Sequence, residues 1–529
     1  MEIIKSNFNK YKKALYIIIL FFFSTSINQY YGNFGVCPID SFWFFNSGYD
    51  VLNGHYPFKD YWTIAGPFIT YVQALFFMIF GVSWFSYVFH ASIFNFIISI
   101  STYYTLYKFK LNINYCFFYS LLVSILAYPS SGTPYVDHHA SILSIISIYC
   151  FILALKTNLK IYWFFLPIFL LTSFLTKQTP TGHFFLIIVF LSLLYFAFNF
   201  DIKKIIYGVL GSTTIILFFF FIGFASNISF TSFFEQYILF PLSIGKIRYD
   251  HFLFPLEFSR IFLRFKLIHF STLILFIVSI KNIMSNYKYL KNNEFLITLA
   301  LITSSYALIA HQLMTINGMY IFFIIPVLTG FSHIYFLKYY KNNKYILSML
   351  IILALGSTTH YGHKYVHKRD FMDLRNASMD KAINSQVLTN KLVGLKWISC
   401  LQPNNPKKEI TQLLEVIKII KNDSANKSII TDYQFISVAL SIYDFSQSQV
   451  WFINHVANQK SESKYYKTYK EFFIKNLKVN KIKKAYLVKP LWGGNEVFEN
   501  GLNSDCFEKK KITEILDVYF LKECNELKD

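Results

Sequence analysis

Long apolar runs separated by short lysine-bearing breaks fill the chain up to about residue 360. Beyond that point apolar and polar positions mix in the ordinary proportions of a soluble fold. A membrane-spanning helix needs about 20 mostly apolar residues. Runs near that length centre on Ile18, Ile97, Leu122, Ile145, Pro167, Val189, Ile216, Leu275, Ala300, Ile325 and Ile351, which predicts about 11 transmembrane helices. The lysines alternate. Lys5, Lys10, Lys12 and Lys13 precede the first run, and further clusters follow the second (Lys108, Lys110), fourth (Lys156, Lys160), sixth (Lys203, Lys204), eighth (Lys281, Lys288, Lys291) and tenth (Lys338, Lys341, Lys344). Every second break is therefore lysine-rich, and the positive-inside rule puts those breaks and the N-terminus in the cytoplasm. An odd number of spans then carries the C-terminal part outside. The first run lacks a small-residue cleavage site and reads as a retained anchor. Pro67 to Gly81 does not fit this register as a span, and is expected to be a helix lying in or re-entering the outer interface.

Composition supports the division. Of 529 residues, 54% are hydrophobic, 20% aromatic and 15% charged, against about 25% charged in ordinary soluble proteins. That excludes a disordered chain and an ordinary soluble enzyme. The net charge of +21 raises the question of nucleic acid, but most lysines of the first part sit where they orient helices, so membrane lipids rather than nucleic acid are the expected partners. The six cysteines show no zinc-type spacing. A Cys506–Cys524 bridge fits an oxidising compartment and unpaired thiols a reducing one.

From about residue 362 the pattern is α/β. Helices are predicted in PKKEITQLLEVIKIIKN and SKYYKTYKEFFIKNL, and strands in KSIITDY, SQVWFIN and KAYLVKP, as in a small parallel or mixed sheet. The domain reading is 1–361 transmembrane and 362–529 extracytoplasmic. No Gly-rich phosphate loop follows any of these strands.

The outer segments hold the ionisable chemistry. In the first, Asp40 follows the first helix beside SFWFF, with Asp50, His55, Lys59, Asp60 and Tyr61 beyond it. A carboxylate at a membrane boundary beside aromatic rings is suited to accept a proton; equally, Asp40 fits as the N-cap of a helix starting at Ser41. The second contains Asp137, His138 and His139. Adjacent histidines on a helix point about 100° apart, so these two are not expected to share a metal; one carboxylate with one histidine leaves a divalent ion open. The third, TKQTPTGH, puts Lys177 outside, where it can reach head groups or hold a lipid phosphate. The fourth carries Lys246, Arg248, His251, Arg260 and Arg264. The chain has only five arginines, the others being Arg369 and Arg375, and all five lie outside in this topology. Arg suits bidentate phosphate contacts, and Arg248 is the stronger ligand candidate of the five.

Asp40, then NGHYPFKDYW, then GPFITYVQALFFMIFG resembles the first external loop of GT-C glycosyltransferases, in the protein mannosyltransferase-like and lipid A aminoarabinose transferase-like groups with bacterial lipopolysaccharide-type relatives. Gly54, Pro57, Asp60, Pro67, Phe80 and Gly81 occupy the family's pattern. PYVDHHA is similar to its second acidic site, and TKQTPTG to its Thr-Lys-Gly element with Gln178 replacing the Gly. The resemblance covers roughly residues 14 to 200. It implies an integral membrane transferase of the bacterial inner membrane that moves a sugar from a polyprenyl-phosphate donor to an extracytoplasmic envelope glycan or lipid. It also implies Asp40 as general base, Asp137 orienting substrate, and Lys177 with Arg248 and Lys246 at the departing phosphate. His55, Asp60, Tyr61, His138 and His251 are expected to contact substrate. No cofactor is required by this reading, and a divalent metal stays open. The alternatives are a transporter or flippase of lipid-linked glycans, or a glycan polymerase working through arginines of a large external loop.

Overall fold

The computed structural model describes residues 2–244, 257–284, 292–315, 319–340, 343–446, 449, 464–491, 498–499 and 501–527, with backbone alone at 2–10 and 281–283. The chain packs as two compact units, neither contiguous in sequence: Met1–Gly32 with Val88–Phe219 and Phe252–Phe371, and Asn33–Tyr87 with Phe220–His251 and Met372–Asp529.

Every one of the eleven apolar runs is helical. Among the described residues eight helices are long and apolar enough to cross a membrane: Tyr11–Gly32, Trp84–Lys108, Val136–Thr157, Gln178–Phe198, Ile202–Ala225, Asn293–Thr315, Ile321–Tyr339 and Lys344–Met372. Ile113–Leu126, Ile161–Phe174 and Lys266–Ile280 are apolar but shorter. The protein is thus a polytopic helical membrane protein. Its helices differ in role. The most apolar window of Val136–Thr157 is 89% buried and that of Ile202–Ala225 only 6%, so the first forms a core while the second presents Leu217, Phe218 and Phe221 outward, as lipid contact requires.

In an apolar surround helices are joined by polar side chains and close backbone approach rather than by hydrophobic burial. Asn28 Nδ2 donates to Ser92 Oγ (3.0 Å) and to the Gly132 carbonyl (3.1 Å), and Asn95 Nδ2 to the Ser24 and Ser124 carbonyls (3.0 and 2.9 Å). Gly32 and Gly132 meet so closely that a Cβ on Gly32 would fall 2.7 Å from the Gly132 oxygen.

The second unit is built on two small sheets. β1 (Phe34–Val36) pairs in parallel with β3 (Lys396–Ser399), which pairs antiparallel with β2 (Ile383–Asn384). The larger sheet runs in the order β4 (Lys427–Thr431), β5 (Lys484–Val488), β7 (Leu516–Leu521), β6 (Phe507–Lys511), with β4 and β5 parallel and the rest antiparallel. The expected helices are Pro406–Asn422, capped by Asn405 Oδ1 accepting from Lys408 N (3.1 Å), and Tyr466–Val479. The strand expected in SQVWFIN lies outside the described residues apart from Gln449. Disulfides join Cys506 to Cys524 and Cys37 to Cys400.

Pro67 starts a 14-residue helix, Pro67–Phe80, ended by Gly81, well short of the about 20 residues a span needs. It packs on the Trp43–Leu52 helix, where Gly48 admits Gln73: a Cβ there would meet Gln73 Cγ at 2.5 Å.

Candidate active site

In the first unit, three ionisable side chains meet at three helix ends. Asp137 lies in the first turn of Val136–Thr157, Lys177 just before Gln178–Phe198, and His311 near the end of Asn293–Thr315. Lys177 Nζ donates to Asp137 Oδ1 at 2.5 Å, and His311 Nε2 lies 2.9 Å from the same oxygen. The Asp137 and His311 side chains are fully buried and Lys177 is 15% exposed, so one carboxylate oxygen faces two cation-forming groups away from bulk water. The pairing explains why a lysine tolerates this depth, since a buried charge requires a partner.

Around this pair, Tyr320 OH donates to the Asp137 carbonyl (3.2 Å) and lies 2.8 Å from Ser141 Oγ. Its ring stacks on His138 at 4.1 Å between centroids. His138 Nε2 lies 2.8 Å from Ser130 Oγ, while His139 turns to His90, with 2.9 Å between their Nε2 atoms, and to Tyr128 OH. The two histidines thus diverge, as helical geometry demands. Among the described residues no group of three or more His, Cys, Asp or Glu side chains is set to hold a metal.

The Pro129–Ser131 turn that supplies Ser130 is clamped by Arg369. Its guanidinium donates to the carbonyls of Pro129, Ser130 (both 3.0 Å) and Ser131 (2.9 Å) and is fully buried. Arg369 therefore serves the architecture of the first unit, a job its sequence position did not suggest.

In the second unit, Asp40 sits inside a four-residue helix, Pro38–Ser41, whose N-cap is Cys37. The next helix, Trp43–Leu52, is preceded by Phe42 and has no side-chain cap. The expectation that Asp40 caps a helix starting at Ser41 is therefore corrected: the helix begins three residues earlier, because Pro38 is favoured in a first turn. Asp40 is half-buried. Asp60 Oδ2 accepts from Tyr56 N (2.7 Å) and holds its own turn. His55 stacks on Tyr443, 3.4 Å between centroids, and burial lowers its pKa. Tyr61 is buried with no hydrogen-bond partner for its hydroxyl among the described residues, and burial raises its pKa well above the usual value. Asp50, fully buried and bonded to Gln449 Nε2, is raised well above the carboxylate range by burial. Gln236 secures the loop, donating to the Phe58 carbonyl (2.9 Å) and accepting from Thr63 N (3.2 Å).

Lys246, Arg248 and His251 lie outside the described residues. His311, which the sequence reading does not single out, is the group it missed. The available signal was an ionisable side chain inside an otherwise apolar run.

No family model and no curated protein matches the chain. Among solved structures, the archaeal oligosaccharyltransferase AglB from Archaeoglobus fulgidus, in complex with an inhibitory peptide and a dolichol-phosphate, is similar at 12% identity and a TM-score of 0.47, over 90% of this chain and 69% of that one. The Archaeoglobus fulgidus oligosaccharyltransferase tethered to an acceptor peptide gives 12% and 0.45 over 91% and 70%, and its complex with zinc and sulfate 12% and 0.44 over 89% and 67%.

Proposed function

We propose that the chain is a GT-C-type integral membrane glycosyltransferase that transfers a sugar from a polyprenyl-phosphate donor to an extracytoplasmic envelope glycan or lipid, in a bacterial inner membrane. The observation that carries this reading is the contact between Lys177 and Asp137. Two segments, PYVDHHA and TKQTPTG, resemble separate motifs of that family, and their key side chains meet in one buried ion pair. A lysine held at the membrane boundary by a carboxylate is a fixed cation for a phosphate on which negative charge accumulates as the glycosidic bond breaks. Lys246 and Arg248 are assigned the same task. Asp40 takes the proton of the acceptor hydroxyl, whose oxygen attacks the anomeric carbon as the phosphate leaves with the bonding pair. A single displacement of this kind inverts the anomeric centre. His55, Asp60, Tyr61, His138 and His251 are assigned to substrate contacts.

The orientation rests on the alternating lysines, and two disulfides in the second unit support an oxidising, extracytoplasmic side for it.

The test is a mass-spectrometric profile of envelope glycans and lipids in cells lacking the gene and complemented with wild type, Asp40→Asn or Lys177→Met. One sugar should disappear from one glycan or lipid and return with wild type alone. An unchanged profile on deletion sinks the transferase; full restoration by Asp40→Asn sinks the base assignment.

A further inference from the structure

Lys177 and His311 converge on a single oxygen, Asp137 Oδ1, at 2.5 and 2.9 Å. Neither ring nitrogen of His311 makes a well-aligned hydrogen bond among the described residues: Nε2 has the Asp137 oxygen within ion-pair distance, whereas Nδ1, equally buried, has no polar partner at all. Leaving a buried ring nitrogen without a partner is costly, and such an orphan calls for an explanation. We propose that His311 is a second, proton-dependent cation of the phosphate site, and that binding a phosphate ester there takes up one proton onto His311. The proposal rests on the reading above that Lys177 faces phosphate.

The protonation states of imidazole make the argument. When the ring is neutral and its Nε2–H faces Asp137, Nδ1 carries a lone pair and repels a phosphate oxygen. When the ring is protonated both nitrogens donate, so Nε2–H stays on the carboxylate and Nδ1–H is released toward an acceptor. Charge leads to the same conclusion. With neutral His311 the buried set of Asp137, Lys177 and His311 sums to zero, and adding a phosphate dianion to it is costly. One proton on His311 makes the set cationic, and Asp137 is already in place to stabilise the imidazolium. The other ionisable groups that face His311 are His183 and His138. His138 meets Ser130 through Nε2 and is stacked on Tyr320, but its Nδ1, like that of His183, is buried without a hydrogen-bond partner among the described residues, so both are able to compete for the proton.

A lipid head group and a free anion offer the same phosphate chemistry, and one experiment separates the two. Purified full-length protein in detergent is titrated calorimetrically with farnesyl phosphate, with inorganic phosphate and with farnesol, in buffers of differing ionisation enthalpy between pH 7 and 9, where a phosphate monoester is already dianionic. Wild type should take up close to one proton, and its affinity for farnesyl phosphate should fall about tenfold per pH unit. Tighter binding of farnesyl phosphate than of inorganic phosphate identifies a lipid source, and equal binding a free anion. In His311→Gln the uptake should vanish and the affinity become flat with pH. Binding by wild type without proton uptake overturns the proposal, and this arm needs no variant to fold. Uptake that persists in His311→Gln but is lost in His183→Gln or His138→Gln also overturns it, moving the proton to that histidine. If wild type binds neither phosphate, or Lys177→Met binds as wild type does, the phosphate reading itself fails. That outcome is distinct from binding without proton uptake.

Discussion

Replacing Asp444 with Asn should stabilise the second unit at neutral pH and remove a pH dependence that wild type shows. Asp444 is fully buried. Burial pushes its carboxyl up from 3.8 to about 6, partly offset by hydrogen bonds from Ser437 and the main-chain N–H groups of Asp444 and Ile429, and by Lys427. One oxygen, Oδ1, has no partner among the described residues. A carboxyl whose folded pKa exceeds its unfolded value contributes stability that is complete below the unfolded pKa and lost as pH rises through the folded one. The window runs from 3.8 to about 6. A rise of about two units at 1.36 kcal/mol each amounts to about 3 kcal/mol. Asn keeps an acceptor for the Ser437 and main-chain donors and puts an uncharged NH2 at the orphan position. Thermal unfolding followed by tryptophan fluorescence on the full chain, from pH 4 to 8, should show wild type losing stability relative to Asp444→Asn as pH rises to about 6, with the difference level above that. For a domain of 150–250 residues the gap at pH 7 should be at most roughly 6–12 °C. Curves that stay parallel across pH 4 to 7 would refute the assignment, whatever their offset.

Arg369→Met strands three buried carbonyls, each costing roughly 1–3 kcal/mol; a melting temperature equal to wild type would show that the clamp carries no stability. Peptide mapping without reductant should recover Cys37 linked to Cys400 and Cys506 to Cys524, with Cys116 and Cys150, both buried, alkylated only after denaturation. Gly48→Ala drives a methyl into Gln73 and should lower stability by about 1–3 kcal/mol, seen as a lower midpoint in the same melts; the double change Gly48→Ala, Gln73→Ala should recover part of it.

Much of this architecture was legible because it is written locally. The apolar runs, the Pro-led helix at Pro67 and the amphipathic Pro406–Asn422 helix each announce themselves within a few turns of sequence. The meeting of Asp137 with Lys177 was half legible, since both stood out as ionisable residues at membrane depth. That they pair with each other depends on how three helices pack. His311 went unseen as a member of the site because its partner is more than 170 positions away. β1 could not be read from three residues, FGV, since it exists only through pairing with β3. Arg369 falls among the anion-binding arginines on its chemistry alone, but three of its hydrogen bonds go to the Pro129–Ser131 carbonyls. The cap expected at Asp40 falls three residues too late because Pro38, favoured in a first turn, already starts the helix.

The pairing of β1 with β3, and of Cys37 with Cys400, bears on how the protein is made. These cysteines are 363 residues apart, and at about 5–20 residues per second synthesis of the intervening chain takes roughly 20–70 s. Throughout that time the Phe34–Val36 edge and the Cys37 thiol wait without their native partners, while the intervening membrane helices are made and inserted. The first loop to emerge is thus among the last to be completed, and Cys37 is open to the wrong thiol for as long as the ribosome takes to deliver the right one.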